Sequence, residues 1–253
     1  IMAKSDAIKL SKISTQAPKN LDKDKIKNLT KGYLDELNTL QNLLYAESKH
    51  SLLVIIQGMD ASGKDGLIRD VFTNVNPLGI QVKSWKAPTQ EELAHDFLWR
   101  IHQHTPAKGM IQLHNRSHYE DILITRVHQW IDDNTAKKRM LSINNFENHL
   151  CENNQTTILK FYLHISHEEQ LLRLNERMQI PEKMWKYNEN DLKESELWDD
   201  YMKYYEEAIA CCNNPEWVIV PSDQNWYKNY VVAETLVQTL KTFQMKFPGM
   251  KKG

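Results

Sequence analysis

Five apolar residues, Leu52-Leu53-Val54-Ile55-Ile56, lead through Gln57 into the glycine-bracketed segment GMDASGKDG, Gly58 to Gly66. An unbroken apolar run leading to a glycine reads as a parallel strand buried on both faces. Helix-forming residues follow Lys64, so the unit is strand, loop, helix. Gly58, Gly63 and Lys64 fill the first seven positions of the phosphate-binding pattern G-x-x-x-x-G-K-[ST]. In such a loop, backbone N–H groups and the positive end of the following helix converge on phosphate oxygens, and the lysine adds a point charge. The alternative is a tight turn that binds nothing. A strand before the loop and a helix after it favour phosphate.

The loop also departs from the pattern. Asp65 occupies the eighth position, where a magnesium-ligating hydroxyl is expected, and a second carboxylate, Asp60, sits inside the loop. A carboxylate among phosphates is repulsive unless a divalent cation lies between them. Magnesium is commonly held by one or two carboxylates plus substrate phosphates. Asp60 is therefore the expected metal ligand, and Asp65 reads first as an acid complementing the helix dipole.

Further buried-strand candidates are Ile80 to Trp85, Met110 to Leu113, Ile158 to Ile165 and Trp217 to Val220. Helical patterns cover Lys23 to His50, Glu91 to His104, Ser117 to Ile131, Lys137 to Glu152, His167 to Met178, Asp191 to Cys211 and Asn225 to Phe247. Strands alternating with helices predict a three-layer α/β/α fold on a central parallel sheet. Ligands of such sheets gather at the carboxyl ends of the strands, where Gly58, His114 and Pro221 fall. Residues 1–22 read as a polar arm over the surface, 23–247 as one domain, and 248–253 as a tail. The segment MQIPEKMWKYNEN, about 178–190, interrupts two helical patterns and reads as a mobile lid.

A second polar cluster, HNRSHYED, follows the strand candidate at Met110 to Leu113. Many phosphoryl-transfer enzymes place a metal-side acid at such a strand end. Here the position holds neutral Asn115, with Glu120 and Asp121 able to supply charge from the next helix and Arg116 placed to stabilise a transferring phosphoryl group. A second reading makes Ser117 an N-cap and Glu120 its capping-box partner. His114 and His118 lack metal-ligand spacing and a nucleophile partner, so packing or hydrogen bonding is expected of them.

The formal net charge of −1 excludes a global basic field of the kind that marks nucleic-acid binding, so any polyanion site must be local. Basic residues near these elements (Arg69, Lys83, Lys86, Arg100, Arg116 and Arg126) and near the lid (Arg173, Arg177, Lys183 and Lys186) suggest such a groove. Three cysteines, two of them adjacent, make neither a disulfide framework nor a metal pattern. No apolar stretch is long enough to span a bilayer and no secretory signal is seen, so a cytoplasmic protein without membrane partners is expected.

Taken together, GMDASGKDG, NVNPLG, HDFLWR, NRSHYED, PEKMWKY, LWDDYMKYYEEAI and VPSDQNWYKNYVVAETLV resemble the second family of polyphosphate kinases, in unbroken order from Gly58 to about Val237. The resemblance implies a thymidylate-kinase-like P-loop fold and reversible phosphoryl transfer between inorganic polyphosphate and nucleotides. The cofactor implied is magnesium, with manganese as a substitute, and the implied assembly is a dimer or tetramer. The NRSHYED version resembles the branch that accepts both AMP and ADP. By motif, Asp60 and Lys64 match the metal-associated acid and the phosphate-binding lysine. Asn115, Arg116 and Glu120 match the second-strand motif, with Glu120 compensating for the carboxylate lost at Asn115. Arg177 matches the arginine before the lid proline, although MQIP departs from the commoner acidic ending.

The expected catalytic set is thus Asp60, Lys64, Arg116, Glu120 and Arg177, with Asp60 and Glu120 holding metal. The loop residues Gly58, Met59, Ala61, Ser62, Gly63, Asp65 and Gly66, together with Arg69, Asn115, Arg126 and Lys186, are the expected substrate contacts. Two rival readings remain: a nucleotide kinase with ATP as donor, and a noncatalytic polyphosphate- or nucleotide-binding protein.

Overall fold

The apolar runs become five parallel strands in the order β2-β3-β1-β4-β5, as seen in a computed structural model that describes residues 8–250. The strands are β1 (Ser51–Gln57), β2 (Ile80–Ser84), β3 (Ile111–Asn115), β4 (Thr156–His164) and β5 (Trp217–Pro221). Every residue of β1 is buried, as its composition demands. Because side chains alternate across a strand, Leu52, Val54 and Ile56 enter one core while Leu53 and Ile55 enter the other.

Three helices close the first core: α1 (Lys23–Glu47), α2 (Lys64–Val71) and, last in the chain, a long helix at Asn225–Thr242. Between α2 and β3 lie two single turns, α3 (Gln90–Leu93) and α4 (Trp99–His102), and after β3 comes α5 (Ile124–Val127). The second core is closed by α6 (Asp133–Asn154) and by α10 (Trp198–Cys211). Before α10 come α7 (His167–Gln179), α8 (Pro181–Met184) and α9 (Glu189–Glu196), and the C-terminal helix is α11. Side-chain caps set the starts of α1, α6 and α7: Asp22 accepts from the Asp24 and Lys25 N–H groups, Asp132 from Thr135 and Ser166 from Glu169.

Several expectations are corrected. The helix expected over Glu91 to His104 is two single turns, because the Thr89–Glu92 capping box starts one and the Asp96 carboxylate, accepting from the Leu98 N–H, turns the chain before the other. The helix expected over Ser117 to Ile131 is a 3-10 turn at His118–Ile122 followed by α5, with Leu123 off helical geometry at φ −104° and ψ −82°. The expected Asp191 to Cys211 helix divides at Leu197. The lid segment is partly helical, comprising α8 and the start of α9.

Residues 1–7 of the expected arm and 251–253 of the expected tail lie outside the described residues. The described part of the arm does more than cross the surface. Leu10 is buried in the second core, its N–H donates to Glu206 at 2.8 Å, and Thr15 donates to Asp223 at 2.7 Å. Among the described residues no helix is long and apolar enough to cross a membrane.

Candidate active site

The carboxyl ends of β1, β3, β4 and β5 meet at a cavity of about 1030 Å³, floored by the loop after β1. Backbone geometry explains the glycines of that loop. Gly58 has φ +151°, and a Cβ there would stand 2.8 Å from Ser62 Oγ and 2.9 Å from the Leu163 carbonyl. Gly63 has φ +92°, and a Cβ would meet Lys228 Nζ at 2.3 Å. Ala61 and Arg116 also take left-handed conformations, at φ +62° and +61°. Strained non-glycine residues at both strand ends are a frequent mark of a functional site.

Lys64 opens α2 and curls back over the loop, its Nζ donating to the carbonyls of Gly58 at 2.7 Å and Met59 at 2.9 Å. Burial, with help from Arg116, pushes its pKa down to about 8 despite the carboxylates around it. Arg116, at the end of β3, donates to Asp60 Oδ1. Burial would raise the Asp60 pKa, but Lys64, Arg116 and Arg177 together hold it below the ordinary value.

Glu120 projects toward this group from the turn after β3. The Gln57 amide, oriented with its nitrogen toward Glu120, donates to Oε1 at 2.9 Å and accepts from Ser117 Oγ at 3.0 Å. Burial raises the Glu120 pKa against the pull of Arg116 and Lys64, and Glu120 forms no ion pair with any described residue. Ser117 caps the turn through the Tyr119 N–H, and the reciprocal Glu120 bond of a capping box is not formed. Asp121 turns away, toward Arg100 and Arg139 at 3.8 and 3.9 Å.

A buried polar network holds this turn. Glu147 of α6 accepts from Tyr119 at 2.9 Å and from Lys160 of β4 at 2.7 Å, and pairs with His118 at 3.1 Å. Burial would raise the Glu147 pKa, yet His118 and Lys160 keep it lowered. His114 bonds the His104 carbonyl at 2.9 Å. Both histidines thus have the hydrogen-bonding roles expected of them.

Carboxylates already neutralise six cations of the cavity wall: Arg116–Asp60, Arg173–Glu169, Arg177–Asp191, Lys183–Glu176, Lys186–Asp65 and Arg69–Asp70. The wall is therefore a ring of ion pairs, in which carboxylates interleave with basic residues expected to form the polyanion groove. Its remaining cations, Lys64 and Lys228, bond only neutral oxygens. Asp65 does more than complement a dipole. It accepts from Asn115 at 2.8 Å and from Lys186 of the lid at 3.2 Å, and these contacts outweigh burial to lower its pKa.

Of the expected site residues, Asp60, Ala61, Gly63, Lys64, Asp65, Gly66, Arg69, Arg116, Arg177 and Lys186 line the cavity. Gly58, Met59, Ser62, Asn115 and Glu120 are not among the residues that line it. The Met59 side chain packs in the core, leaving only its carbonyl facing Lys64, and Ser62 is fully buried. Arg126 is a correction: it is buried against Asp133 at 2.7 Å, Glu207 at 2.8 Å and the Tyr204 ring, so its charge is spent on the α5–α6–α10 packing. Lys83, Lys86 and Arg100 also lie off the cavity wall. Sequence reasoning missed Asp223, Asn225 and Lys228, which the chain delivers just past β5; the strand-end rule applied to PSDQNWYK was the available signal.

A five-stranded parallel sheet in this order, with a lysine-bearing glycine loop at its central strand and an acid–arginine pair across the strand end, defines a P-loop kinase fold. The chain belongs to the polyphosphate kinase 2 family, whose sequence profile matches residues 20–248. It is 48% identical over 214 residues to the AMP/ADP-polyphosphate phosphotransferase of Meiothermus ruber, covering 84% of this chain and 80% of that one. It is 41% identical over 240 residues to the ADP-polyphosphate phosphotransferase of Rhodopseudomonas palustris, covering 89% and 83%. The crystal structure of polyphosphate kinase 2 from Arthrobacter aurescens superposes with a TM-score of 0.93 at 36% identity, over 100% of this chain and 92% of that one.

Proposed function

We propose that this protein transfers the terminal phosphoryl group of inorganic polyphosphate to AMP and to ADP, giving ADP and ATP, reversibly and with a divalent metal ion. Magnesium is the first choice and manganese a substitute. The observation that carries the reading is the meeting of Lys64, Asp60, Arg116 and Glu120 at two adjacent strand ends, beside a cavity of about 1030 Å³. That volume is at the upper end of small-molecule sites and suits two phosphate-bearing substrates. The names of the relatives supply the donor and the acceptors.

A terminal phosphate oxygen of the nucleotide attacks the terminal phosphorus of the chain. The new P–O bond forms as the bond to the bridging oxygen breaks, and the shortened polyphosphate leaves with that electron pair. The attacking oxygen is already anionic, so no general base is required, and catalysis is positioning plus charge stabilisation. Lys64, the loop N–H groups and Arg116 face the charge that spreads over the transferring group. Arg177 approaches from the lid side, where closure excludes water.

Asp60 and Glu120 fit a metal ion. Glu120 is a half-buried carboxyl without an ion-pair partner, and the described residues hold no cluster of three or more metal-ligating side chains, so phosphate oxygens and water would complete the coordination, as magnesium favours. When bound there, the ion neutralises phosphate charge. The proposal extends to a cytoplasmic setting and a dimeric or tetrameric assembly, the latter measurable by light scattering.

The deciding assay offers AMP and ADP separately with long-chain polyphosphate and magnesium, following ADP and ATP formation, beside a parallel reaction with ATP as donor. Polyphosphate is expected to support both reactions. Phosphorylation from ATP alone, or binding without turnover, would overturn the reading.

A further inference from the structure

The ion-pair ring leaves two buried cations of the cavity without a salt-bridge partner, and only one of them, Lys64, belongs to the phosphate-binding pattern. The other, Lys228, is 1% exposed and reaches the loop from the first turns of α11. Its Nζ donates to Asn225 Oδ1 at 2.7 Å and to the Gly63 carbonyl at 3.2 Å, both neutral oxygens. An ammonium has three N–H donors, so one is left for a partner in the cavity. Asp70, the carboxylate that acts on it most strongly, is occupied by Arg69 at 2.8 Å and Asn229 at 3.2 Å. Burial and the neighbouring Arg173 push the Lys228 pKa down to about 7. A buried charge without a counter-ion is costly, and a bound anion removes that cost.

The two unpaired lysines grip opposite ends of one loop, Lys64 at Gly58 and Met59 and Lys228 at Gly63. They also lie on a polarised sheet. In the order β2-β3-β1-β4-β5, the Arg116, Asn115 and Glu120 cluster follows β3, on one side of the loop. Lys228 follows β5, on the other, and Arg173 reaches the same side from α7, donating to the Ser222 and Asp223 carbonyls at 2.8 Å. The two lysines thus line one cavity from opposite ends of the loop, where successive phosphates of one chain could each meet a separate ammonium.

We propose that Lys228 is a phosphate-binding residue of a donor subsite, taking a non-terminal phosphate of the polyphosphate chain while Lys64 holds the terminal one, so that the chain leaves on the β5 side and the nucleotide enters on the β3 side. This assignment rests on polyphosphate being the donor, and the experiment separates the two claims. Initial rates of ATP formation from ADP and long-chain polyphosphate are measured for the unaltered protein and for Lys228→Met, varying each substrate in turn, with circular dichroism to confirm folding. The KM for polyphosphate is expected to rise about tenfold or more, the scale of a lost charge-assisted phosphate contact, while the KM for ADP stays within about twofold. The slope of log affinity for polyphosphate against log salt should become shallower by about one.

An unchanged KM for polyphosphate, an equal or larger rise in the KM for ADP, or a fall in kcat alone would overturn the subsite. Failure of the unaltered protein to use polyphosphate would instead bring down the donor reading beneath it. Should Lys228→Met not fold, Asn225→Ala frees the ammonium of its shorter bond. A severalfold rise in the polyphosphate KM alone is then expected, and the absence of any polyphosphate-specific change refutes the assignment.

Discussion

Asp65 occupies the position where the commoner phosphate loop keeps a metal-facing hydroxyl, and its carboxylate instead joins Asn115 at the end of β3 to Lys186 of the lid. That leaves Asp60 and Glu120 as the candidate metal-side acids. Asp60, Lys64 and Arg116 could be read from the chain because motif spacing fixes their place around one loop and one strand end. Lys228 could not, because its role exists only once α11 is laid across Gly63. Arg126 shows the reverse failure: a sequence displays its charge but not Asp133 and Glu207, the partners that absorb it. Glu120 was ambiguous between metal ligand and helix cap, and the missing reciprocal cap bond favours the former. Glu120→Gln keeps the shape and removes the charge. Turnover should fall by about 10- to 100-fold, the scale of lost metal-site partners, and half-maximal activity should need more magnesium. A loss that is the same at every magnesium concentration would return Glu120 to a purely structural role.

Among the elements, the strands were legible nearly to the residue because runs buried on both faces have few alternative uses. The segments after β2 and β3 were not. Their apolar spacing suits a helix, but local side-chain-to-backbone bonds at Thr89, Asp96 and Ser117 divert the backbone into single turns. The turn after β3 is the one that presents Glu120, and it is held from beneath by Glu147 of α6 and Lys160 of β4, both fully buried. Such a pair adds little over an apolar replacement, but losing one partner strands a charge. Lys160→Met is therefore expected to destabilise the fold by about 3–5 kcal/mol in chemical denaturation. Adding Glu147→Leu to it should recover much of that loss. If the double variant is as unstable as the sum of the two single ones, the two residues are not coupled as drawn.

At the scale of the whole molecule, the architecture follows from one property of β1: side chains buried on both faces require a core on each side of the sheet. The sequence alone implied this much. Strand order and the identity of the cavity wall depend on which crossovers pass over which face, and no single segment records that. Charge shows the same limit. A net charge of −1 gives no long-range field to draw in a polyanion. The expected basic groove proves to be six ion pairs around two free lysines. A cation whose charge is already balanced by a carboxylate neutralises no phosphate and so displaces no counter-ion from the chain. The salt dependence of polyphosphate binding should then report the unpaired cations alone. At about 0.7–0.9 per contact, log affinity should fall with log salt at a slope of about 1.4 to 1.8 for the two lysines, whereas a ring that opened to bind would give about 5.6 to 7.2 for all eight cations. Titration calorimetry with long-chain polyphosphate across a salt series measures this slope, and a steep value would mean that the arginines leave their carboxylates to hold the chain.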